Sequence, residues 1–221
     1  MASPQAKPSP RGPRNNRATA VHLRLRNQIV SGHFPQGSAL AEPVLAEHFQ
    51  TSRAPIREAL IALEREGLVT FEKTGRTRVR TIGAKDFREI MEARAALESM
   101  AAGLANRNWA EGDTEFVTKN IEEQTKARSL AELSRLDIDL HHYVVTCSGN
   151  LRLLQLWEPL RWQWEAHLVE IYRRQKKDDF IPEKETIKAH RHLLEALANG
   201  TPSEASQSMM NHILFNLRWA K

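Results

Sequence analysis

The chain has 221 residues, 41% of them hydrophobic and 27% charged, with a net charge of +5. That is the composition of a soluble globular protein with room for one large domain or two small ones. No apolar run approaches the roughly 18 residues of a membrane span, the Pro-rich basic N-terminus lacks the apolar core of a secretory signal, and Cys147 has no intramolecular disulfide partner, so a cytoplasmic protein is expected.

Charge is unevenly placed. Residues 1–80 carry 13 Lys/Arg against 6 Asp/Glu, whereas residues 81–221 carry 19 against 21. A basic first third on a near-neutral remainder predicts a separate module for nucleic acid or another anionic surface. Residues 1–16 hold little to bury and read as a disordered basic arm. Val21, Leu25 and Ile29, four apart, line one face of a helix that Gly32 can stop, and His33–Gly37 is turn chemistry. A short helix is predicted over 42–49, with Pro43 tolerated in its first turn and Val44, Leu45 and Phe49 facing inward. Gln50, Thr51 and Ser52 connect it to a helix over 53–66, for which Ser52 is a good N-cap; Ile56, Leu60 and Leu63 are its buried stripe and Gly67 its C-terminal glycine. Two short helices across so tight a turn form a helix-turn-helix. Arg53 and Arg57 fall one turn apart on its outward N-terminal half, where a recognition helix meets base edges; taken alone they read rather as solvated helix arginines. Val69–Phe71 and Thr77–Arg80 read as strands of a hairpin wing, with Arg76, Arg78 and Arg80 on one face and Thr77 and Val79 on the other.

Beyond a linker at 82–85 the pattern predicts six helices, near 86–107, 113–128, 130–148, 151–176, 182–199 and 202–220, and no convincing strand. The fold class is therefore mainly α: a winged helix-turn-helix over 17–81, then an all-α antiparallel bundle over 86–221. Thr201-Pro202-Ser203-Glu204 offers a capping box for the last helix. Trp157, Arg161 and Trp164 share a stripe on the fourth bundle helix; they could line a pocket for a planar acid or belong to the core or a dimer interface. Asp137 and His141 lie at i and i+4, while His190 and His212 fall on the last two helices; by the residues alone they are ordinary bundle positions.

Two stretches resemble known families. Ser52-Arg53-Ala54-Pro55-Ile56-Arg57-Glu58-Ala59-Leu60, with Leu63-Glu64 and Glu66-Gly67-Leu68-Val69, is similar to the DNA-binding domain of GntR-type regulators. Met91-Glu92-Ala93-Arg94-Ala95-Ala96-Leu97-Glu98 resembles the opening helix of the FadR-type ligand-binding domain called FCD. The resemblance implies a sequence-specific transcriptional regulator, expected to be a repressor rather than an enzyme. It implies a homodimer on double-stranded operator DNA, with Ser52, Arg53, Arg57, Arg76 and Arg78 facing the DNA. It also implies a divalent transition metal (Zn, Ni or Mn) on Asp137, His141, His190 and His212. A small carboxylate effector is expected near Arg94, Asn150 and Arg161; Arg94 could instead simply pair with Glu98. Three positions depart from the pattern. Pro43 stands where relatives carry an arginine, Arg76 where the wing-tip glycine is usual, and Ala189 where a glutamate often precedes the fifth-helix histidine. The rival reading is a metal-dependent hydrolase built on the Asp/His3 set.

Overall fold

The computed structural model describes residues 13–178 and 180–219. The chain divides between Arg80 and Thr81 into two compact units.

The first unit contains α1 (Pro13–Val30), α2 (Glu42–His48), α3 (Arg53–Arg65) and the antiparallel strands β1 (Val69–Phe71) and β2 (Thr77–Val79). Helix α1 begins inside the segment read as an arm; residues 1–12 lie outside the described residues. Leu25, Ile29, Leu45, Ile56, Leu60 and Leu63 are buried together with Phe49, so the apolar spacing of α1 and α3 does what it predicts. Val44 does not: it is 64% exposed, and Ala46 takes its place. Leu45 and Phe49, four apart, fix the inward face of so short a helix, and Val44 lies about 100° away from Leu45.

Ser52 occupies the N-cap position of α3 in extended conformation, but its side chain makes no capping bond. The turn closes instead through Thr51 N–H to the Ala46 carbonyl at 2.9 Å, with Gln50 at φ 51°. In the hairpin, Val69 pairs with Val79 and Phe71 with Thr77. The tip is closed by Gly75 N–H to the Glu72 carbonyl, with Gly75 at φ +79°. The left-handed residue is thus Gly75, which leaves Arg76 in an ordinary conformation and removes the conflict its position suggested.

In the second unit, α4 (Ala84–Asn106) packs against α6 (Leu130–Cys147), α7 (Leu151–Lys177), α8 (Pro182–Asn199) and α9 (Pro202–Leu214), while α5 (Glu111–Lys126) packs on α6 and α8. Met91, Leu133, Ile138, Leu140, Trp164, Leu168, Leu193 and Met209 form the shared core. The expected last helix over 202–220 ends at Leu214 and tightens into a 3-10 turn, Phe215–Trp219. Its start is as predicted: Glu204 accepts the Thr201 N–H at 2.7 Å and Thr201 Oγ1 accepts the Glu204 N–H at 3.3 Å. Helices α4 and α9 approach closely at Gly103, where an added Cβ would lie 2.9 Å from the Pro202 carbonyl oxygen.

Candidate metal centre and DNA-facing surface

Helix α6 presents Asp137 and His141 one turn apart, and α8 and α9 bring His190 and His212 to the same point. One donor atom from each of the four lies within 4.8 Å of every other. Atoms bound at about 2.1 Å to a common ion are about 3.4 to 4.2 Å apart, so a contraction on the order of 1 Å at the widest pair would close the set. His190 Nε2 is 3.2 Å from Asp137 Oδ1 yet has no aligned hydrogen-bond partner. His141 Nε2 faces His212 Nε2 at 3.0 Å. A buried cluster of nitrogen lone pairs around one carboxylate fits a divalent ion well.

The surroundings fix which nitrogen points inward. His141 Nδ1 contacts Glu98 Oε2, and His190 Nδ1 donates to Gln124 Oε1 at 2.8 Å. Gln124 in turn donates to Asn120 Oδ1 at 2.7 Å, and Asn120 to the Leu136 carbonyl at 3.1 Å. Both Nε2 atoms are thereby left free for ligation, the arrangement that outer hydrogen bonds impose on metal-binding imidazoles. Burial lowers the pKa of His190 and, with its neighbouring imidazoles, that of His212 well below its usual value. Burial alone would raise Asp137, but its contact with His190 and the surrounding imidazoles hold it well below the usual carboxylate range. The protonation state is the ligating one.

Glu98 is completely buried. It accepts from Arg94 Nε at 2.6 Å and from Trp157 Nε1 at 2.7 Å. Burial would raise its carboxyl, but Arg94 and His141 outweigh burial and hold it at about 2. A carboxylate so pinned is a weak base, already engaged by Arg94, Trp157 and His141.

Next to the four donors lies a cavity of about 20 Å³, lined among others by Arg94, Trp164, Tyr172, Thr186 and Asn216. That holds one water-sized body. Arg94 pairs with Glu98, the second reading considered for it, and also borders the cavity.

In the first unit Arg53 and Arg57 are exposed on the first turns of α3, beside exposed Ser52. Arg76 is exposed at the wing tip. Arg78 is occupied within the protein: its Nε donates to Glu72 and its guanidinium to the Gly37 carbonyl, both at 2.8 Å. Sequence reasoning overlooked a groove of about 580 Å³ between α1 and the turn, lined by Arg17, Arg24, Phe49 and Ser52, which extends the basic surface past α3.

Comparison with known proteins agrees with both halves. Residues 17–79 match the family of bacterial regulatory proteins called gntR, and residues 89–215 match the FCD domain. The chain belongs to the GntR family and carries an FCD domain. It is 29% identical over 191 residues to a probable D-xylose utilization operon transcriptional repressor of Paenarthrobacter nicotinovorans, covering 84% of this chain and 80% of that one. A gluconate operon transcriptional repressor of Bacillus licheniformis is 27% identical over 80% of this chain and 74% of its own. Among solved structures, a putative GntR regulator from Rhodococcus sp. RHA1 superposes with a TM-score of 0.78 at 20% identity, over 93% of this chain and 97% of that one. E. coli McbR/YncC superposes with a TM-score of 0.77 at 22% identity, over 92% and 96%. These likenesses carry the fold. The family is one of transcriptional regulators, not enzymes, and among the described residues no helix is long and apolar enough to cross a membrane.

Two of the expected effector residues of this GntR-family chain stand apart from the cavity. Asn150 is exposed and caps α7, accepting from the Arg152 and Leu153 N–H groups at 3.0 and 3.2 Å. Arg161 lies among Asp139, Glu158 and Glu165, with its guanidinium 4.5 Å from the Trp162 ring centre. Of the aromatic stripe only Trp164 reaches the cavity; Trp157 is buried against Glu98. Glu98 and Gln124 as outer partners of the imidazoles, and Asn120 as the residue that holds Gln124, were missed. Glu98 carried a signal in its spacing from Arg94; the other two carried none, because their role arises from contacts between α5 and other helices.

Proposed function

We propose that this GntR-family protein is a homodimeric repressor whose affinity for a pseudo-palindromic operator is set by a small organic acid bound beside a divalent transition metal. One recognition helix reads too few bases for specificity, so two copies are needed. Helix α3 enters the major groove with Arg53 and Arg57 at base edges, Ser52 near the backbone and Arg76 at a phosphate. Arg78, tied to Glu72 and Gly37, orders the wing and reaches phosphate only by exchanging those partners.

In the second unit Asp137, His141, His190 and His212 hold the metal, and Arg94 faces the acid's carboxylate. A bound metal supplies positive charge and open coordination positions for a ligand oxygen. The observation that carries the reading is that three of these donors, Asp137, His141 and His212, border one cavity with the buried Arg94, and His190 completes the donor set beside them. Its decisive test is a titration of metal-loaded protein with short mono- and dicarboxylates, followed by anisotropy of a labelled operator fragment with each binding acid present. The reading expects a five- to 150-fold change in operator affinity, corresponding to ~1–3 kcal/mol of coupling. Binding that is indifferent to both metal removal and Arg94→Ala would overturn it.

A further inference from the structure

Trp164 borders the cavity on the side of Arg94, whose guanidinium carbon lies 4.8 Å from the Trp164 ring centre. The side chain is 2% exposed, and its Nε1–H has no hydrogen-bond partner. A buried N–H left unpaired costs free energy in the free protein, and Trp164 is a lining residue of the cavity in which a ligand would sit. The tryptophan two turns earlier on α7 behaves differently: Trp157, also buried, gives its N–H to Glu98 at 2.7 Å. Thr186 and Asn216 are further polar groups of the lining. Thr186 Oγ1 donates to Tyr172 at 3.5 Å, and Asn216 accepts from Gln175 Nε2 at 3.2 Å through Oδ1, which leaves its amide N–H groups available. Arg94, Asp137, His141, Trp164 and Tyr172 are buried, whereas Thr186, His212 and Asn216 are half-buried and mark the mouth. The inner space of about 20 Å³ admits only the head of a ligand; the remainder must extend to the mouth.

We infer that Trp164 is a specificity-determining residue of the effector site, its indole N–H donating to a second oxygen of the bound acid that is not the carboxylate oxygen facing Arg94. The site then selects short acids with an additional acceptor, a hydroxyl or a second carboxylate, over plain monocarboxylates. This rests on the effector reading above and adds to it a particular donor and a particular class. Wedged between Arg94 and the core, Trp164 is also rigid, so little ordering is needed when the ligand arrives.

The test uses full-length metal-loaded protein and three probes: acetate, glycolate and malonate. Calorimetry on wild type is expected to show glycolate or malonate binding about tenfold or more tighter than acetate. Trp164→Phe keeps the ring over Arg94 and removes the N–H; it is expected to lose that preference. Preference can also come from chelation at the metal, so a variant that keeps it overturns the inference while leaving the effector reading standing. A second measurement needs no folded variant at this position. In 15N spectra of wild type, the Trp164 indole resonance, assigned by elimination with single Trp→Phe variants of the other four tryptophans, is expected to move on saturation with the tighter acid and to stay with acetate. An unmoved resonance with the acid bound overturns the inference. Failure of all three acids to bind removes both the inference and the reading beneath it.

Discussion

Replacing Glu98 by Gln isolates the buried charge pair that supports the metal cluster. Arg94 is 1% exposed and Glu98 fully buried, joined at 2.6 Å. Removing the carboxylate charge leaves a guanidinium buried without its counter-ion, a change that costs about 3–5 kcal/mol. Linkage gives a second route to the magnitude. Folding lowers the Glu98 carboxyl from 4.5 to about 2, which corresponds to ~3 kcal/mol at 1.36 kcal/mol per pKa unit. Because the folded value is the depressed one, this stabilisation is present above pH ~4.5 and is lost as pH falls toward 2. The assay is urea unfolding of metal-free protein followed by tryptophan fluorescence. All five tryptophans, Trp109, Trp157, Trp162, Trp164 and Trp219, lie beyond Arg80, so the signal reports the helical unit alone. With a urea dependence of about 2 kcal/mol per molar, the midpoint should drop by about 1.5 M at pH 7. The wild-type fall in stability between pH 4.5 and 2 should shrink by a similar energy in the variant. Glu89→Gln, which touches only the exposed Lys85 at 3.6 Å, is the control and should shift the midpoint little. A Glu98→Gln shift no larger than the control's would refute the assignment of the pair as a major support.

Four further outcomes follow from the geometry. Arg53→Ala and Arg57→Ala should each lose ~1–3 kcal/mol of operator binding by anisotropy, with helical content by circular dichroism unchanged; wild-type affinity in both would put a different element in the groove. Elemental analysis of His141→Ala/His212→Ala should show the metal gone, whereas stoichiometric metal would place the ion elsewhere. Gln50→Gly should raise the melting temperature of the first unit, since a non-glycine residue at φ 51° is strained by roughly 1 kcal/mol. Gly103→Ala should destabilise the helical unit by about 1–3 kcal/mol, because the Pro202 carbonyl cannot retreat from the new methyl without parting α4 from α9.

What could be read from the chain depended on how local the causes were. The helices announced themselves through period and caps: the Thr201 box and Leu25, Ile29, Ile56 and Leu60 are burial patterns within single elements. Val44 misled because a seven-residue helix has too little period to fix its phase. The wing-tip conflict at Arg76 dissolved once Gly75 was seen to hold the left-handed turn. The four donors could be named from the motif they resemble, but their convergence joins three helices, and no spacing within one helix supplies that. Asn150 shows the converse: a residue that fits a motif can be fully employed by its own backbone, here as the cap of α7. Gln124 and Asn120 were silent for the same physical reason, since a polar residue on α5 becomes an imidazole partner only through packing against α6 and α8.

The charges around the cavity explain why the metal and the acid belong together in the proposed mechanism. Without an ion, the cluster holds the Asp137 and Glu98 carboxylates beside the Arg94 guanidinium, with His190 and His212 held neutral by burial. The two carboxylates offset the guanidinium, and Arg94, already paired to Glu98 through Nε, has little pull left for an organic anion. A divalent ion changes the balance by two charges and makes the same space net positive, in surroundings dry enough for the difference to matter. In the proposed mechanism the acid is then drawn to loaded protein, and operator control answers to both species at once. The outer hydrogen bonds to Glu98 and Gln124 serve that charge balance as well as geometry. By holding the Nδ1 protons of His141 and His190 away from the cluster, they keep the inward nitrogens ready to ligate rather than to donate.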